Sequence, residues 1–389
     1  MSITFSFNNL SFYILAIFIL SLVIQLCIHW IRFSRLAFSK KHPRTKPDSD
    51  LEPVSVVVCA RDAQHHLVEL IPALLSQDYP EFEVVVVNDC SDDDTEEYLK
   101  DLERHEKRVK PVQLRQHLNF FNGKKFPLSM GIKSASYDLL VLTDPDCRPT
   151  SNKWLRSVVG CYNAGTEMVI GYPSIENTGG LTNLLVRFNA VQRALMYLSA
   201  ALAGHPYMGS GKNLSYRQRL FFQAKGFTSH YGMPEGDDDL FVSQMANKRN
   251  TAVHLDPDNT VVCASPSTFG AWARQQIRQY STIGMHKMGP RVFAALHYWS
   301  QFLFYASFIA LFFLAPAFTL DTSLHYAAYY YPTLVVLFLL RYISQIIIYR
   351  GASHRLGERG LLPGLILWDL FFAFLTPMLR FSGKLNKNS

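Results

Sequence analysis

Leu139-Leu-Val-Leu-Thr-Asp-Pro-Asp-Cys-Arg-Pro149 decides how the rest of this chain is read. Leu139–Thr143 is an apolar run long enough for one buried strand. It ends abruptly on two carboxylates, Asp144 and Asp146, one residue apart. Pro145 and Pro149 stop the strand, and the whole end suits a polar turn. It suits equally well a divalent cation shared with a phosphate, because Mg2+ and Mn2+ prefer hard oxygen ligands. The surrounding sequence has to separate these two readings.

Upstream, Val54-Ser-Val-Val-Val-Cys-Ala60 reads as a buried strand and Val84-Val-Val-Val87 as another. Between them Leu67, Leu70, Ile71, Leu74 and Leu75 recur at helical spacing, and 94–106 reads as a second helix. Strands alternating with helices predict a parallel sheet covered on both faces, where ligands sit beyond the carboxyl ends of the strands. Three acid-bearing segments follow strands in this way: Arg61-Asp62, Asn88-Asp89 and Asp144-x-Asp146. That convergence favours a site over a turn.

The chain has 389 residues, room for one large domain and additional segments. Its net charge is +7, but the basic residues crowd beside apolar segments, as on the cytoplasmic flanks of a membrane protein. No basic run is interleaved with aromatics for base stacking, so nucleic acid is not an expected partner. Cys27, Cys59, Cys90, Cys147, Cys161 and Cys263 form no CxxC pair. They read as reduced, mostly packed thiols rather than as disulfides or a zinc site.

Residues 11–31 are uncharged and long enough to span a bilayer. A cleaved signal peptide fits poorly, because no basic residues precede the run and no small-residue cleavage site follows it. Arg32, Arg35, Lys40, Lys41, Arg44 and Lys46 come next and place the downstream side in the cytoplasm. Pro43 and Pro47 mark a linker. Residues 296–318 and 326–348 each suit a further span, joined by Asp321-Thr-Ser-Leu-His325, which has no Lys or Arg. Arg350, Arg355 and Arg359 then mark a cytoplasmic loop. The last apolar run, 361–380, contains Asp369 and two prolines and precedes a basic tail, which favours a re-entrant or interfacial segment over a crossing. The expected division is a membrane anchor (1–34), a basic linker (35–50), a cytoplasmic domain (51–285), a membrane region (290–380) and a basic tail (381–389).

Three further stretches bear chemistry. Gly209-Ser-Gly-Lys-Asn-Leu-Ser-Tyr216 could approach a ligand closely but lacks the spacing of a P-loop. Pro234-Glu-Gly-Asp-Asp-Asp-Leu-Phe241 packs four acids into five positions before an apparent helix, 240–247. The helix dipole accounts for one or two of them. The rest suggest a catalytic base or a metal neighbour, since a dense cluster repels itself. In Trp272-Ala-Arg-Gln-Gln-Ile-Arg-Gln-Tyr280, Arg274 and Arg278 lie one helical turn apart, suited to a diphosphate or to membrane-proximal charge.

Together these motifs resemble the membrane-bound family 2 glycosyltransferases, whose nucleotide-sugar-binding domain has the GT-A fold. The resemblance runs from about Val54 to Tyr280. Val54–Arg61 is similar to the family's first strand and turn, and Val87-Asn-Asp89 to its second acidic turn, with Asn88 where a further Asp is common. Gly123-Lys124 looks like the family's Gly-Lys segment, and Asp144-Pro-Asp146 matches the Asp-x-Asp metal motif. Gly236-Asp-Asp-Asp-Leu240 is similar to the Glu-Asp-x-Asp motif, with Gly236 in place of the Glu. Gln275-Gln-Ile-Arg278 resembles Gln-x-x-Arg-Trp, with Gln279 where processive synthases carry Trp.

The resemblance implies an α/β fold flanked by transmembrane helices and sugar transfer from a nucleotide-diphosphate donor, with inversion, to a lipid-linked or glycan acceptor. Ala60, Arg61, Asp89, Lys124, Asp144 and Gln275 would bind the donor, and Asp144 and Asp146 would hold Mg2+ or Mn2+. Asp237 would be the base within the Asp237–Asp239 cluster, and Arg278 would stabilise the departing diphosphate. A bacterial inner membrane with the catalytic domain facing the cytoplasm is the implied location. Two alternatives remain at this stage: a processive polysaccharide synthase with export, and a non-catalytic membrane protein that binds nucleotide sugars.

Overall fold

The computed structural model describes residues 7–40, 46–115, 123–233, 235–319 and 324–385. Its centre is a seven-stranded sheet. The strands are β1 (Val54–Ala60), β2 (Phe82–Asp89), β3 (Val109–Leu114), β4 (Leu139–Thr143), β6 (Met168–Gly171), β8 (Leu214–Arg217) and β9 (Thr251–His254), with β5 (Cys147–Pro149) and β7 (Pro173–Ile175) outside it. The spatial order is β3-β2-β1-β4-β8-β6-β9. β1, β2, β3 and β4 run parallel, β8 is antiparallel to β4 and β6, and β9 is parallel to β6.

Every residue of β1 is buried. Six of its seven residues are apolar, four of them valines, and they alternate toward two covered faces, which is why the strand reads as a continuous apolar run. One face packs on the helix Gln64–Leu75 through Leu67, Leu70, Ile71 and Leu74. The other meets Leu128 and Ile132 of the helix Lys125–Ser134 and, further along the sheet, the 23-residue helix Gly180–Leu202. The register pairs Ala60 with Asn88 and Val58 with Thr143, so the chain segments after β1, β2 and β4 leave the sheet at one edge.

β1 and β4 have the bounds expected from sequence, and the helix Thr95–His105 falls within 94–106. β2 is longer than the four valines because Phe82 and Asn88 continue its pairing with β1. The reading of sequence assigned nothing to 180–202, whose apolar residues cover more than one face, leaving no sharp helical stripe.

β10 (Val261–Cys263) joins β5 and β7 in a three-stranded sheet. Its antiparallel register with β5 sets Cys263 opposite Cys147, with Cα atoms 4.0 Å apart, and the two are disulfide-bonded. This corrects the expectation of six reduced thiols. The partners are 116 residues apart, so only strand pairing reveals them. Cys27, Cys59, Cys90 and Cys161 are not disulfide-bonded.

Among the described residues, four helical stretches are long and apolar enough to cross a membrane: Leu10–Ala37, Met288–Phe313, Tyr329–Leu356 and Leu362–Arg380. The fourth packs on two sides. Phe372 stacks on Phe188 of the helix Gly180–Leu202 and meets Trp272 of the helix Phe269–Ser281 edge-on. Asp369, three residues earlier, lies 2.8 Å from Arg341 and accepts from Gln301 and Tyr305 of the helix Met288–Thr319. Asp369 and Arg341 are each 2% exposed, so the charge that interrupts the apolar run is paired inside the bundle. Pro43, Arg44, most of the connection 321–325 and the end of the basic tail lie outside the described residues.

Candidate active site

Thr143 ends β4, and the next residues carry the two acids out of the sheet edge. Asp144 is ion-paired with Lys124, which precedes the helix Lys125–Ser134. Asp146 is held by Lys212, whose ammonium lies 2.8 and 2.6 Å from its two oxygens. Burial opposes the charge on Asp144, yet Lys124 and then Lys212 hold its carboxyl below the usual range. Two cations therefore already sit on the Asp-x-Asp pair. Among the described residues no three His, Cys, Asp or Glu side chains gather around a point. The protein thus offers a divalent ion two carboxylates and would leave its other positions to phosphate oxygens and water, which suits Mg2+ or Mn2+.

Lys124, Asp144, Asp146, Asp237, Asp238, Asp239, Gln275 and Arg278 all line one cleft, with about 1730 Å³ of empty space. Ala60, Arg61 and Asp89 share the sheet edge but are not among its lining residues. There the loops after β1 and β2 are tied together: Asp92 N–H donates to Asp62 (2.7 Å) and Asp62 N–H to Ser91 (3.0 Å).

The three consecutive aspartates differ in their commitments. Asp238 accepts from Gly211 N–H (2.9 Å) and from Asp239 N–H (2.6 Å), so it ties the 209–216 loop to the start of the helix Asp239–Met245. Asp239 accepts from Leu240 N–H (2.7 Å), Thr282 Oγ1 (2.5 Å) and His286 Nε2 (3.1 Å). These contacts keep it ionised despite burial. Asp237 accepts from no other described residue, although Lys124 and Asp144 are near. Burial and then the charge on Asp144 push its carboxyl up, only partly offset by Lys124. Burial, Asp237 and Asp239 likewise push Asp238 up.

Gly236 has φ +101°, and a Cβ there would lie 2.5 Å from Leu240. The backbone thus excludes the family's Glu at this position. Glu235, one residue earlier, supplies a carboxylate instead, 3.7 Å from Arg278. Sequence reasoning missed Lys212 as a partner of Asp146, and Thr282 and His286 as supports of Asp239. Lys212 lay within a loop already singled out, whereas Thr282 and His286 carry no motif.

The sequence model described as "Glycosyl transferase family 2" matches residues 55–223. This stretch of the chain is thus similar to the family 2 glycosyltransferase domain. It is 28% identical over 129 residues to a GalNAc(5)-diNAcBac-PP-undecaprenol beta-1,3-glucosyltransferase of Campylobacter jejuni, covering 33% of this chain and 40% of that protein. It is 22% identical over 276 residues to a poly-beta-1,6-N-acetyl-D-glucosamine synthase of Staphylococcus aureus, covering 70% and 64%. The chain spans about a third of the length of the first curated relatives it matches. A mannosyltransferase of Pyrobaculum calidifontis, solved with GDP-Man and Mn2+, superposes with a TM-score of 0.57 at 18% identity, covering 89% of this chain and 98% of that one. The GT-A fold expected from sequence is therefore the fold of this domain.

Proposed function

We propose that this protein transfers a sugar from a nucleotide-diphosphate donor to a lipid-linked or glycan acceptor at a bacterial inner membrane, in the making of an envelope glycan. One observation carries the reading. Of three adjacent aspartates in the cleft, two are bound by their own protein, and Asp237 alone has a carboxylate left for substrate. It faces the same space as the Asp-x-Asp pair and Arg278.

In this reading Asp237 takes the proton from the acceptor hydroxyl as that oxygen attacks the anomeric carbon, and the configuration inverts. The diphosphate leaves toward Lys124, Lys212 and Arg278, whose charges match the one that develops there. A Mg2+ or Mn2+ ion held by Asp144 and Asp146 would neutralise further charge on the leaving group. Asp238 and Asp239 position Asp237 by anchoring the segment that follows it. Arg61 and Asp89, at the ends of β1 and β2, receive the nucleoside, with Ala60 giving the close approach. The basic residues after the first span support a cytoplasmic face for this domain. The packing of Phe372 on the domain and of Asp369 on the spans supports an interfacial course for 361–380.

The match to a polymer synthase over 70% of the chain supports processive transfer as a second reading. Against it, Gln279 replaces the Trp of processive synthases and is bound to Arg193 and Gln276. Product length separates the two. The test of the main reading is a panel of nucleotide sugars incubated with the full-length protein and Mn2+ or Mg2+. Release of a nucleoside diphosphate from at least one supports transfer, and donor binding with no release from any overturns it.

A further inference from the structure

A second pocket adjoins the cleft and shares Arg193, Met208, Asp239 and Gln279 with it. Its walls come from both halves of the molecule. Arg193 and Met196 belong to the helix Gly180–Leu202, Arg291 and Tyr298 to the helix Met288–Thr319 that starts a membrane span, and Arg380 to the last helix. Three guanidiniums thus line a space whose other walls are largely apolar, including Met208, Ile283, Pro290 and Ala294.

Their charges are not compensated by the protein. Arg193 donates to the neutral amide of Gln279. Arg380 sits over the rings of Tyr298 (4.7 Å) and Tyr280 (5.9 Å). Among the described residues none of the three comes within 4.0 Å of a carboxylate. Asp239 also lines the cavity, but its oxygens are taken by Leu240, Thr282 and His286. Three cations gathered around one largely apolar pocket repel one another unless an anion joins them, and planar guanidinium groups match phosphate oxygens. Apolar walls at the mouth of a membrane span suit the first carbons of a lipid chain.

We infer that this cavity binds the phosphate or diphosphate of a lipid-linked acceptor, held by Arg193, Arg291 and Arg380, with its lipid chain leaving along the Met288–Thr319 helix. The acceptor's reacting end would then pass the shared residues Met208 and Gln279 into the cleft that holds Asp237. The inference rests on the glycosyltransferase reading and selects a phosphorylated lipid over a free glycan.

The test uses full-length protein in lipid nanodiscs and measures binding of farnesyl diphosphate and of inorganic pyrophosphate. Farnesyl diphosphate is expected to bind at least tenfold more tightly than pyrophosphate. Arg380→Gln and Arg291→Gln should each weaken it about tenfold, the size of one lost charge-assisted contact. Arg291 is exposed, so its variant keeps the test open should Arg380→Gln fail to fold. Equal binding of pyrophosphate would make this a free-anion site and overturn the inference, as would unchanged farnesyl diphosphate binding in the folded variants or none in the parent. Nucleotide-sugar turnover is measured in the parent alongside. Its absence refutes the glycosyltransferase reading, whereas turnover without farnesyl diphosphate binding refutes only the lipid site.

Discussion

Replacing Asp237 and Asp239 separately by Asn should give opposite outcomes. Asp237→Asn removes a carboxylate that no other described residue binds, so no hydrogen bond to another described residue is lost. Its effect on stability has a definite sign. Burial raises the folded pKa above the unfolded one, so ionising Asp237 weakens the fold as pH rises through that interval. At neutral pH the Asn variant should therefore melt at the same temperature as the parent or higher. Its turnover should fall by roughly 10²–10⁴, the usual worth of a general base, or about 3–5 kcal/mol on the barrier. Asp239 is 8% exposed and accepts three hydrogen bonds. Hydrogen bonds to a charged group contribute about 1.5–3 kcal/mol each, and an Asn retains part of them. Asp239→Asn should lose about 2–4 kcal/mol of stability, with turnover falling in step with the folded fraction. Initial rates of nucleoside diphosphate release, with a fluorescence melt of the same samples, read both. Asp237→Asn keeping more than a tenth of parental turnover would refute the assignment of the base. An Asp239→Asn variant that melts normally but is inactive would move the base to Asp239.

Three further outcomes are expected. Chelation should abolish turnover and added Mn2+ or Mg2+ restore it, while Asp146→Asn should stay inactive at any metal concentration reached; metal-independent release by the parent would refute the site. Gly236→Glu, which matches the family pattern better, should lower stability by about 1–3 kcal/mol, because φ is +101° and its Cβ meets Leu240 at 2.5 Å; an unchanged melting temperature would contradict this backbone. Arg341→Met should cost about 3–5 kcal/mol by leaving Asp369 buried without its partner, and Asp369→Leu added to it should recover most of that loss. A double variant no more stable than the single one would show that the pair does not hold the last helix in place.

What was legible in the sequence was legible for local reasons. β1 and β4 are short and covered on both faces, so their apolar runs coincide with their bounds, and the acids mark where they leave the sheet. The candidate membrane stretches follow from length and mean hydropathy alone. The Asp-x-Asp and Asp237–Asp239 motifs are contiguous, so their residue types could be recognised without knowing what faces them. The division of labour among the three aspartates could not, because it depends on Gly211, Thr282 and His286 arriving from other elements.

The same distinction holds across the molecule. By itself the sequence determined the class of sheet, the edge that carries the acids and the segments long enough for a bilayer, since periodicity and composition act along the chain. Only the tertiary structure decided which lysine sits on which aspartate, that Cys147 meets Cys263, that Asp369 is neutralised by Arg341, and that three arginines from separate helices share one cavity. Those pairings join residues distant in the chain, and a charge or thiol shows no sign of its partner until the packing of the sheet and helices brings the two together.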